Sequence, residues 1–142
     1  MAWFRSLNTP ISDWQGRRVW IVGASSGIGA ALAADLDARG ARLALSARNA
    51  GRLRDVAEGL RDVMVLPLDV TDAGAFTPAM MQILDAWGGL DLVILNAGTY
   101  TPLRAWDLTT DIARQTVHTN LLGVMDGVAA VVPQMLRQQC GA

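Results

Sequence analysis

Lysine is absent from this 142-residue sequence, and cysteine, histidine and tyrosine each occur once, as Cys140, His118 and Tyr100. A single cysteine excludes both a disulfide framework and a thiolate metal site. His118 has no other metal-type ligand spaced with it, so we expect no bound metal. The net charge is −1 and no basic run occurs, which argues against nucleic acid as a partner.

The sequence also has little that would direct it into or across a membrane. Its first residues lack the apolar core and the small-residue cleavage site of a secretory signal. The longest strongly apolar stretch, Leu121 to Met135, is interrupted by Asp126 and Pro133 and is too short to span a bilayer. Because 51% of the residues are apolar and 18% are charged, we expect a globular domain in the cytoplasm with no membrane partner.

The most informative segment runs from Val19 to Gly29 and reads Val-Trp-Ile-Val-Gly-Ala-Ser-Ser-Gly-Ile-Gly. This pattern predicts an apolar strand that enters a glycine-rich turn and then a helix. Gly23 lets the chain turn off the strand, Gly27 lets backbone N–H groups approach a phosphate, and Gly29 lets the helix pack tightly. The start of the helix supplies unpaired N–H donors and a positive dipole end, which suit a pyrophosphate.

Strands and helices alternate through the rest of the chain, after a predicted leader at residues 1–16. Apolar runs predict strands at 18–22, 42–47, 63–66 and 90–95. Helical spacing predicts helices at about 28–39 and 53–60, a third that Thr71 caps and Gly88 ends, and a long one from 108 or 109 to about 138. Four strands alternating with helices imply a parallel sheet, and right-handed crossovers place helices on both of its faces.

The last predicted helix is apolar around much of its surface. A helix of this kind needs cover on more than its sheet side, which a further part of the protein or a second subunit would provide. A homo-oligomer that forms through the Leu121–Met135 helix is therefore one prediction. The two apolar stripes are Leu121, Val124, Val128, Val131 and Met135, and beside them Leu122, Met125, Ala129 and Val132.

Four motifs, in the right order and on the right elements, together resemble the short-chain dehydrogenase/reductase family. The segment from Gly23 to Gly29 matches its Gly-x-x-x-Gly-x-Gly cofactor turn, and Leu68-Asp69-Val70 matches the segment with the adenine-contacting Asp. Asn96-Ala97-Gly98 matches the motif after the fourth strand, and Asn120 matches an Asn in the helix beyond it.

The resemblance implies an α/β fold, a Rossmann-type doubly wound parallel sheet, here truncated to about four strands in the order 3-2-1-4, over residues 17–142. It also implies a nicotinamide dinucleotide as partner. Asn120 would take the family's catalytic position, where an Asn in a locally distorted helix holds a water. The implied cofactor-binding residues are Gly23, Ser25, Ser26, Gly27, Ile28, Gly29, Arg48, Asp69, Val70, Asn96, Ala97 and Gly98.

The family's catalytic Ser and its Tyr-x-x-x-Lys motif have no counterpart in this sequence, since Tyr100 is the only tyrosine and no lysine occurs. In the family the tyrosine is the general acid/base and the lysine lowers its pKa. Without them hydride transfer has no proton partner. We therefore expect a fragment that binds the cofactor at most, from a longer oxidoreductase acting on a small carbonyl or alcohol substrate.

The residues after the second predicted strand bear on the choice of cofactor. An acidic side chain there would bond to the adenosine ribose and repel a 2′-phosphate. This sequence has Ala47 followed by Arg48, and a guanidinium can pair bidentately with a phosphate. The pattern resembles the NADP-preferring branch of the family, so NADP(H) is expected over NAD(H).

Two other classes of function remain open. A non-catalytic nucleotide-binding or oligomerising module would use the same glycine turn. The turn also spells Gly-x-Ser-x-Gly, the nucleophile elbow of serine hydrolases, with Ser25 as nucleophile and with Asp91 or Asp107 followed by His118. Against a hydrolase, the elbow lies on the first recognisable strand, so no earlier strand completes an oxyanion hole.

Overall fold

The computed structural model describes residues 11–142. Its strands are β1 (Arg18–Val22), β2 (Arg42–Ser46), β3 (Val63–Val65) and β4 (Leu92–Leu95). Its helices are α1 (Gly27–Ala38), α2 (Ala50–Ala57), α3 (Phe76–Trp87), α4 (Thr110–Val117) and α5 (Gly123–Gln138). A π-helical turn, His118–Leu122, joins α4 to α5, and short 3-10 turns precede α3 and α4.

The four strands form one parallel sheet in the order β3-β2-β1-β4. The register places Trp20 of β1 opposite Ala44 of β2 on one side and Val93 of β4 on the other. On the outer side of β4, Val93 donates its N–H to the carbonyl of Ala142 at 2.8 Å. The predicted Rossmann-type sheet with the order 3-2-1-4 is confirmed.

Alternate side chains of the strands pack on opposite faces of the sheet. Val19 and Ile21 join the core beneath α1 and α2, whereas Trp20 joins the core beneath α3 and α5. The Trp20 ring is fully buried, meets Phe76 edge-on with ring centroids 6.1 Å apart, and donates its indole N–H to the Ser46 hydroxyl at 2.9 Å. Burial on both faces explains why the strands read as apolar runs, and the prediction of helices on both faces is confirmed.

The last helix packs on the sheet through small residues. Its buried positions are Gly123, Gly127 and Val131, which recur every four residues. A Cβ on Gly127 would lie 2.8 Å from Leu95 Cδ2, so the missing side chain allows close approach to β4. Of the two predicted stripes only Val131 is fully buried. The exposed large side chains from the end of α4 through the π turn and α5 are Val117, Leu121, Leu122, Met125, Val128, Val132 and Leu136.

The helical region Thr110–Gln138 is long and apolar enough to cross a membrane, judged by length and composition. It has 29 residues. Its most apolar 18-residue segment has a mean hydropathy of 1.2, and 22% of that segment is buried inside the fold. The expectation of a stretch too short to span a bilayer concerned Leu121–Met135 alone, whereas this measure covers the whole predicted long helix, from α4 through the π turn to α5. Core helices satisfy the same measure, so the absence of a membrane partner stays a prediction.

One capping prediction is wrong. Thr71 does not cap α3, because that helix begins at Phe76 with Ala75 as its N-cap residue, and the Thr71 hydroxyl donates to Asp69 Oδ1 at 2.8 Å. A 3-10 turn precedes α3, and there Asp72 accepts the N–H of Gly74.

The predicted leader, residues 1–16, lies mostly outside the described residues. In its described part, Trp14 packs against the core beneath α1, and Gly16 donates its N–H to the Gly40 carbonyl at 2.8 Å. Contacts with the sheet domain therefore begin before residue 17.

Candidate functional site

A cavity of about 460 Å³ opens at the carboxyl edge of the sheet. It lies where β1 has β2 on one side and β4 on the other, which is the switch point at which open α/β sheets bind ligands. Segments that follow all four strands, together with the π turn, form its walls. The lining residues are Val22, Gly23, Ser25, Ser26, Ala47, Arg48, Asn49, Arg52, Leu68, Val70, Asn96, Ala97, Gly98 and Thr119.

The structure brings most of the predicted site residues together. Gly23, Ser25, Ser26, Arg48, Val70, Asn96, Ala97 and Gly98 all line the cavity, whereas Gly27, Ile28, Gly29, Asp69 and Asn120 do not. Ile28 is 70% exposed because it lies in the first turn of α1, beyond the end of β1. The polar lining residues that sequence reasoning missed are Asn49, Arg52 and Thr119. No short motif marks Arg52, because it reaches the cavity through the placement of α2 after β2.

The three glycines of the turn are needed for different reasons. Gly23 has φ +93°, and a Cβ there would lie 2.5 Å from the backbone nitrogen of Ala97. A Cβ on Gly29 would lie 2.1 Å from the Gly23 carbonyl oxygen, so α1 packs directly on the turn. Gly27 has φ +56°, and a Cβ there would meet no heavy atom of the described chain within 4 Å. Gly27 thus satisfies a backbone conformation and leaves open space beside the helix start.

The start of α1 leaves its amide donors without a side-chain cap. Ser26 is the N-cap residue in an extended conformation, and its hydroxyl makes no capping hydrogen bond. The first turn contains no acidic residue. The first N–H groups of a helix have no partner within it and carry partial positive charge, so this end suits an anion.

Asn96 ties the end of β4 to the glycine turn. Its side-chain Nδ2 donates to the Gly23 carbonyl at 3.2 Å, and its backbone N–H donates to the Val22 carbonyl at 2.8 Å. The Gly23 carbonyl is therefore held by Asn96 on one side and packed against Gly29 on the other. In this structure Asn96 is a positioning residue for the turn.

Asp69 lies in the loop after β3. Its Oδ1 accepts both the N–H and the hydroxyl of Thr71, at 2.9 and 2.8 Å. Burial by itself would raise the pKa of this carboxyl, but the two bonds from Thr71 and the nearby charge of Arg48 outweigh it and hold the pKa below its ordinary value. Asp69 therefore stays ionised, and its charge acts on Arg48.

Asn120 lies in the π turn and holds the loop that follows β4. Its Oδ1 accepts the N–H of Thr99 at 2.7 Å, and its Nδ2 donates to the Thr99 carbonyl at 2.8 Å. The local helix distortion that the resemblance implies is present here. The role of Asn120 in catalysis stays a prediction.

Charge is distributed unevenly between the two ends of the sheet. In residues 11–142 the ion pairs all lie at the amino edge, and they join Arg18 to Asp91, Arg39 to Asp35, Arg42 to Asp62 and Arg61 to Asp37. At the carboxyl edge the lining of the cavity contains two arginines and, in this part of the chain, no carboxylate. The cavity is therefore a positively charged site.

The profile of the family described as short chain dehydrogenase matches residues 17–142. The chain belongs to this family. Human dehydrogenase/reductase SDR family member 7 is 34% identical over 92% of this chain and 43% of its own length. An uncharacterized oxidoreductase of Staphylococcus aureus is 35% identical over 85% of this chain and 53% of its own. The chain spans about half the length of these curated relatives.

Solved structures of the same family share the fold. A short-chain dehydrogenase/reductase from Burkholderia phymatum, solved in complex with NAD, has a TM-score of 0.84 at 27% identity, over 90% of this chain and 47% of that one. A short-chain type dehydrogenase/reductase from Mycobacterium marinum has a TM-score of 0.84 at 28% identity, over 89% and 53%. The family assignment made from four short motifs is confirmed.

The short-chain dehydrogenase turn also contains Ser25, the residue that the hydrolase alternative needs as a nucleophile. Asp91 precedes β4 at the amino edge and is bound by Arg18, at the opposite end of the sheet from Ser25. The alternative catalytic triad, with Asp107 in place of Asp91, requires a hydrogen bond between Asp107 and His118. The hydrogen bonds of the described residues include none between Ser25, Asp107 and His118. The geometry therefore gives the hydrolase alternative no support.

Proposed function

We propose that this chain binds a nicotinamide dinucleotide at the carboxyl edge of the sheet and prefers NADP(H) to NAD(H). The observation that carries the proposal is a cavity in which the uncapped start of α1 and Arg48 are presented together, with no carboxylate in its described lining. The amides suit the diphosphate, and the guanidinium suits a 2′-phosphate. The NAD complex of the Burkholderia phymatum relative supports the class of ligand. The preference rests on this chain's own residues.

The residues of the chain bind and orient the dinucleotide, which supplies hydride chemistry at a carbonyl or alcohol carbon when it is bound. Gly23 and Gly29 give the turn its shape, and Asn96 fixes the carbonyl of Gly23. Asn120 fixes Thr99 beside the Asn96–Gly98 wall. Ordered amides at the start of α1 need no rearrangement to receive an anion.

We further propose that these residues bind the cofactor without completing hydride transfer. The sequence contains no lysine, and Tyr100, its one tyrosine, is 83% exposed on the loop after β4. Proton transfer requires an acid or base positioned against the reacting oxygen. Oxidation or reduction of a small carbonyl or alcohol substrate is therefore proposed for a protein of its relatives' length, to which this chain contributes the cofactor-binding part.

Titration calorimetry with NADPH and NADH tests the proposed preference. Loss of a charge-assisted bidentate pair is worth about ten-fold or more in affinity, so we expect NADPH to bind at least about ten-fold more tightly than NADH. Arg48→Ala should remove most of that difference. Arg54→Ala is the matched control, because Arg54 is exposed on α2 and does not line the cavity. Tighter binding of NADH, or an Arg48→Ala variant that keeps the preference, would refute the proposal.

We also propose that a second copy of the chain covers the exposed face of α5. Leu121, Met125, Val128 and Val132 are exposed and follow one another at spacings of four, three and four residues, so they share one side of the helix. Sedimentation velocity should show a dimer or larger species that Val128→Glu converts to monomer. A monomeric wild-type chain at micromolar concentration would contradict this assembly.

A further inference from the structure

Ser46, the last residue of β2, holds the glycine turn with its backbone. Its carbonyl accepts the N–H of Gly23 at 2.7 Å and the N–H of Ala24 at 3.1 Å. These two amides belong to the first residues of the turn that leads from β1 to α1. The position of one carbonyl group therefore decides where the turn leaves the sheet.

The side chain of Ser46 is bonded to Trp20 of β1. Both residues are fully buried, and the indole Nε1 of Trp20 donates to the Ser46 Oγ at 2.9 Å. The indole also meets Phe76 of α3 edge-on, with ring centroids 6.1 Å apart. A ring that is closely packed and bonded through its N–H has little freedom to move. Trp20 is therefore a fixed point in the core to which the end of β2 is attached.

The core beneath α3 and α5 requires only an apolar side chain at the position of Trp20. A tryptophan there adds a buried N–H that needs an acceptor, and the acceptor is the same residue that holds the turn. Because a buried donor without a partner costs free energy, a displacement of Ser46 away from Trp20 is opposed. The hydrogen bond thus restrains the end of β2 at the place where the turn is attached to it.

We infer that Trp20 and Ser46 are positioning residues for the dinucleotide, because their hydrogen bond fixes the carbonyl that holds Gly23 and Ala24. The inference rests on the proposed binding of the dinucleotide at this turn. Neither Trp20 nor Ser46 lines the cavity, so both act through the backbone of the turn. The amides at the start of α1 suit the diphosphate, which NADPH and NADH share. The bond should therefore support the binding of both cofactors equally.

Amide hydrogen exchange and dinucleotide titration of the full chain test the inference in two variants, Ser46→Ala and Trp20→Phe. They remove the same hydrogen bond from opposite ends. Loss of one buried bond beside the turn predicts that the Gly23 and Ala24 amides exchange about five-fold faster or more. NADPH and NADH should both bind about five-fold more weakly.

Ile83→Val is the matched control for a general loss of stability. Ile83 is fully buried in the same core as Trp20 but lies on α3, away from the turn. The variant should lower Tm by about 2–5 °C and change neither affinity by more than about two-fold. Titrations at a temperature well below Tm keep every variant folded, which circular dichroism confirms.

Wild-type exchange at Gly23 and Ala24 in both variants would overturn the inference. Changes in exchange and affinity that Ile83→Val reproduces would overturn it too, since the bond would then serve the core alone. A loss of NADPH binding without a loss of NADH binding would contradict the assignment to the shared turn. If the wild-type chain bound neither dinucleotide, the proposed function itself would fail and the inference with it, and only that result shows in the wild-type titration.

Discussion

The glycine turn can be tested by adding a single methyl group. Gly29→Ala would place a Cβ 2.1 Å from the Gly23 carbonyl oxygen and 2.9 Å from its carbon. That carbonyl cannot swing away freely, because it accepts a hydrogen bond from Asn96 and Gly23 donates its N–H to the Ser46 carbonyl at 2.7 Å. The substitution must therefore move α1 away from the turn.

The size of the effect follows from these distances. The contact must lengthen by about 0.9 Å to reach 3.0 Å, below which Cβ atoms are essentially never found. Overpacking of this kind costs about 1–3 kcal/mol, and the better helix propensity of alanine returns at most about 1 kcal/mol. We expect a net loss of about 1–2 kcal/mol, or about 3–8 °C in Tm. Because the amides at the start of α1 move with the helix, dinucleotide affinity should fall by about ten-fold or more.

Thermal unfolding and dinucleotide titration measure the two effects, and Gly27→Ala provides the comparison. A Cβ at Gly27 meets no heavy atom of the described residues within 4 Å, so only its positive φ is strained, at about 1–2 kcal/mol. That methyl group would project into open space at the helix start and weaken binding without moving α1. A Gly29→Ala variant with wild-type Tm and affinity would refute the argument from close packing.

Two further predictions concern contacts outside the cavity. Asp91→Asn leaves the guanidinium of Arg18 without its carboxylate and should cost about 2 kcal/mol in urea unfolding. The hydrogen bonds from Arg18 hold the pKa of Asp91 below its ordinary 3.8. The stabilisation is therefore present above about pH 4 and is lost as pH falls through the lowered pKa. The difference in unfolding free energy between wild type and variant should accordingly shrink in acid. A constant difference would contradict this. Asn120→Ala removes both hydrogen bonds to Thr99. The Thr99 amide should then exchange hydrogen faster, while the free energy of unfolding falls by less than about 1 kcal/mol. Unchanged exchange would show that other contacts hold the loop.

The strands and the cofactor turn could be predicted because their signals are local. Four apolar runs separated by helical spacing imply a parallel sheet, and the resemblance carried by the motifs implies the strand order, which the structure has. The side of α5 that faces the sheet could not be predicted in this way. Gly127 packs against Leu95 of β4 and Gly123 against Val70 after β3, and a residue without a side chain adds nothing to an apolar stripe. Large apolar residues on the opposite side give the stronger pattern.

The residues of the site also fall into those with a local sequence signal and those without one. Gly23, Asn96 and Arg48 belong to short motifs that begin at the ends of strands, and all three line the cavity. Arg52 lies within α2, and whether it reaches the cavity depends on how that helix is placed after β2. The role of Asn120 as a clamp on Thr99 likewise depends on a contact between residues 21 positions apart. No local pattern reports such a distance.

The two edges of the sheet differ in how their charged side chains are paired. At the amino edge one ion pair joins the start of β1 to the residue before β4, and another joins the start of β2 to the residue before β3. The first of these, Arg18 with Asp91, is partly buried, so each charge needs its partner there. At the carboxyl edge Arg48 and Arg52 face one cavity with no carboxylate in its described lining. In residues 11–142 these two arginines take part in no ion pair that would stabilise the fold. An anion bound at this edge would offset their charge, which is the part that the proposed function gives to the dinucleotide.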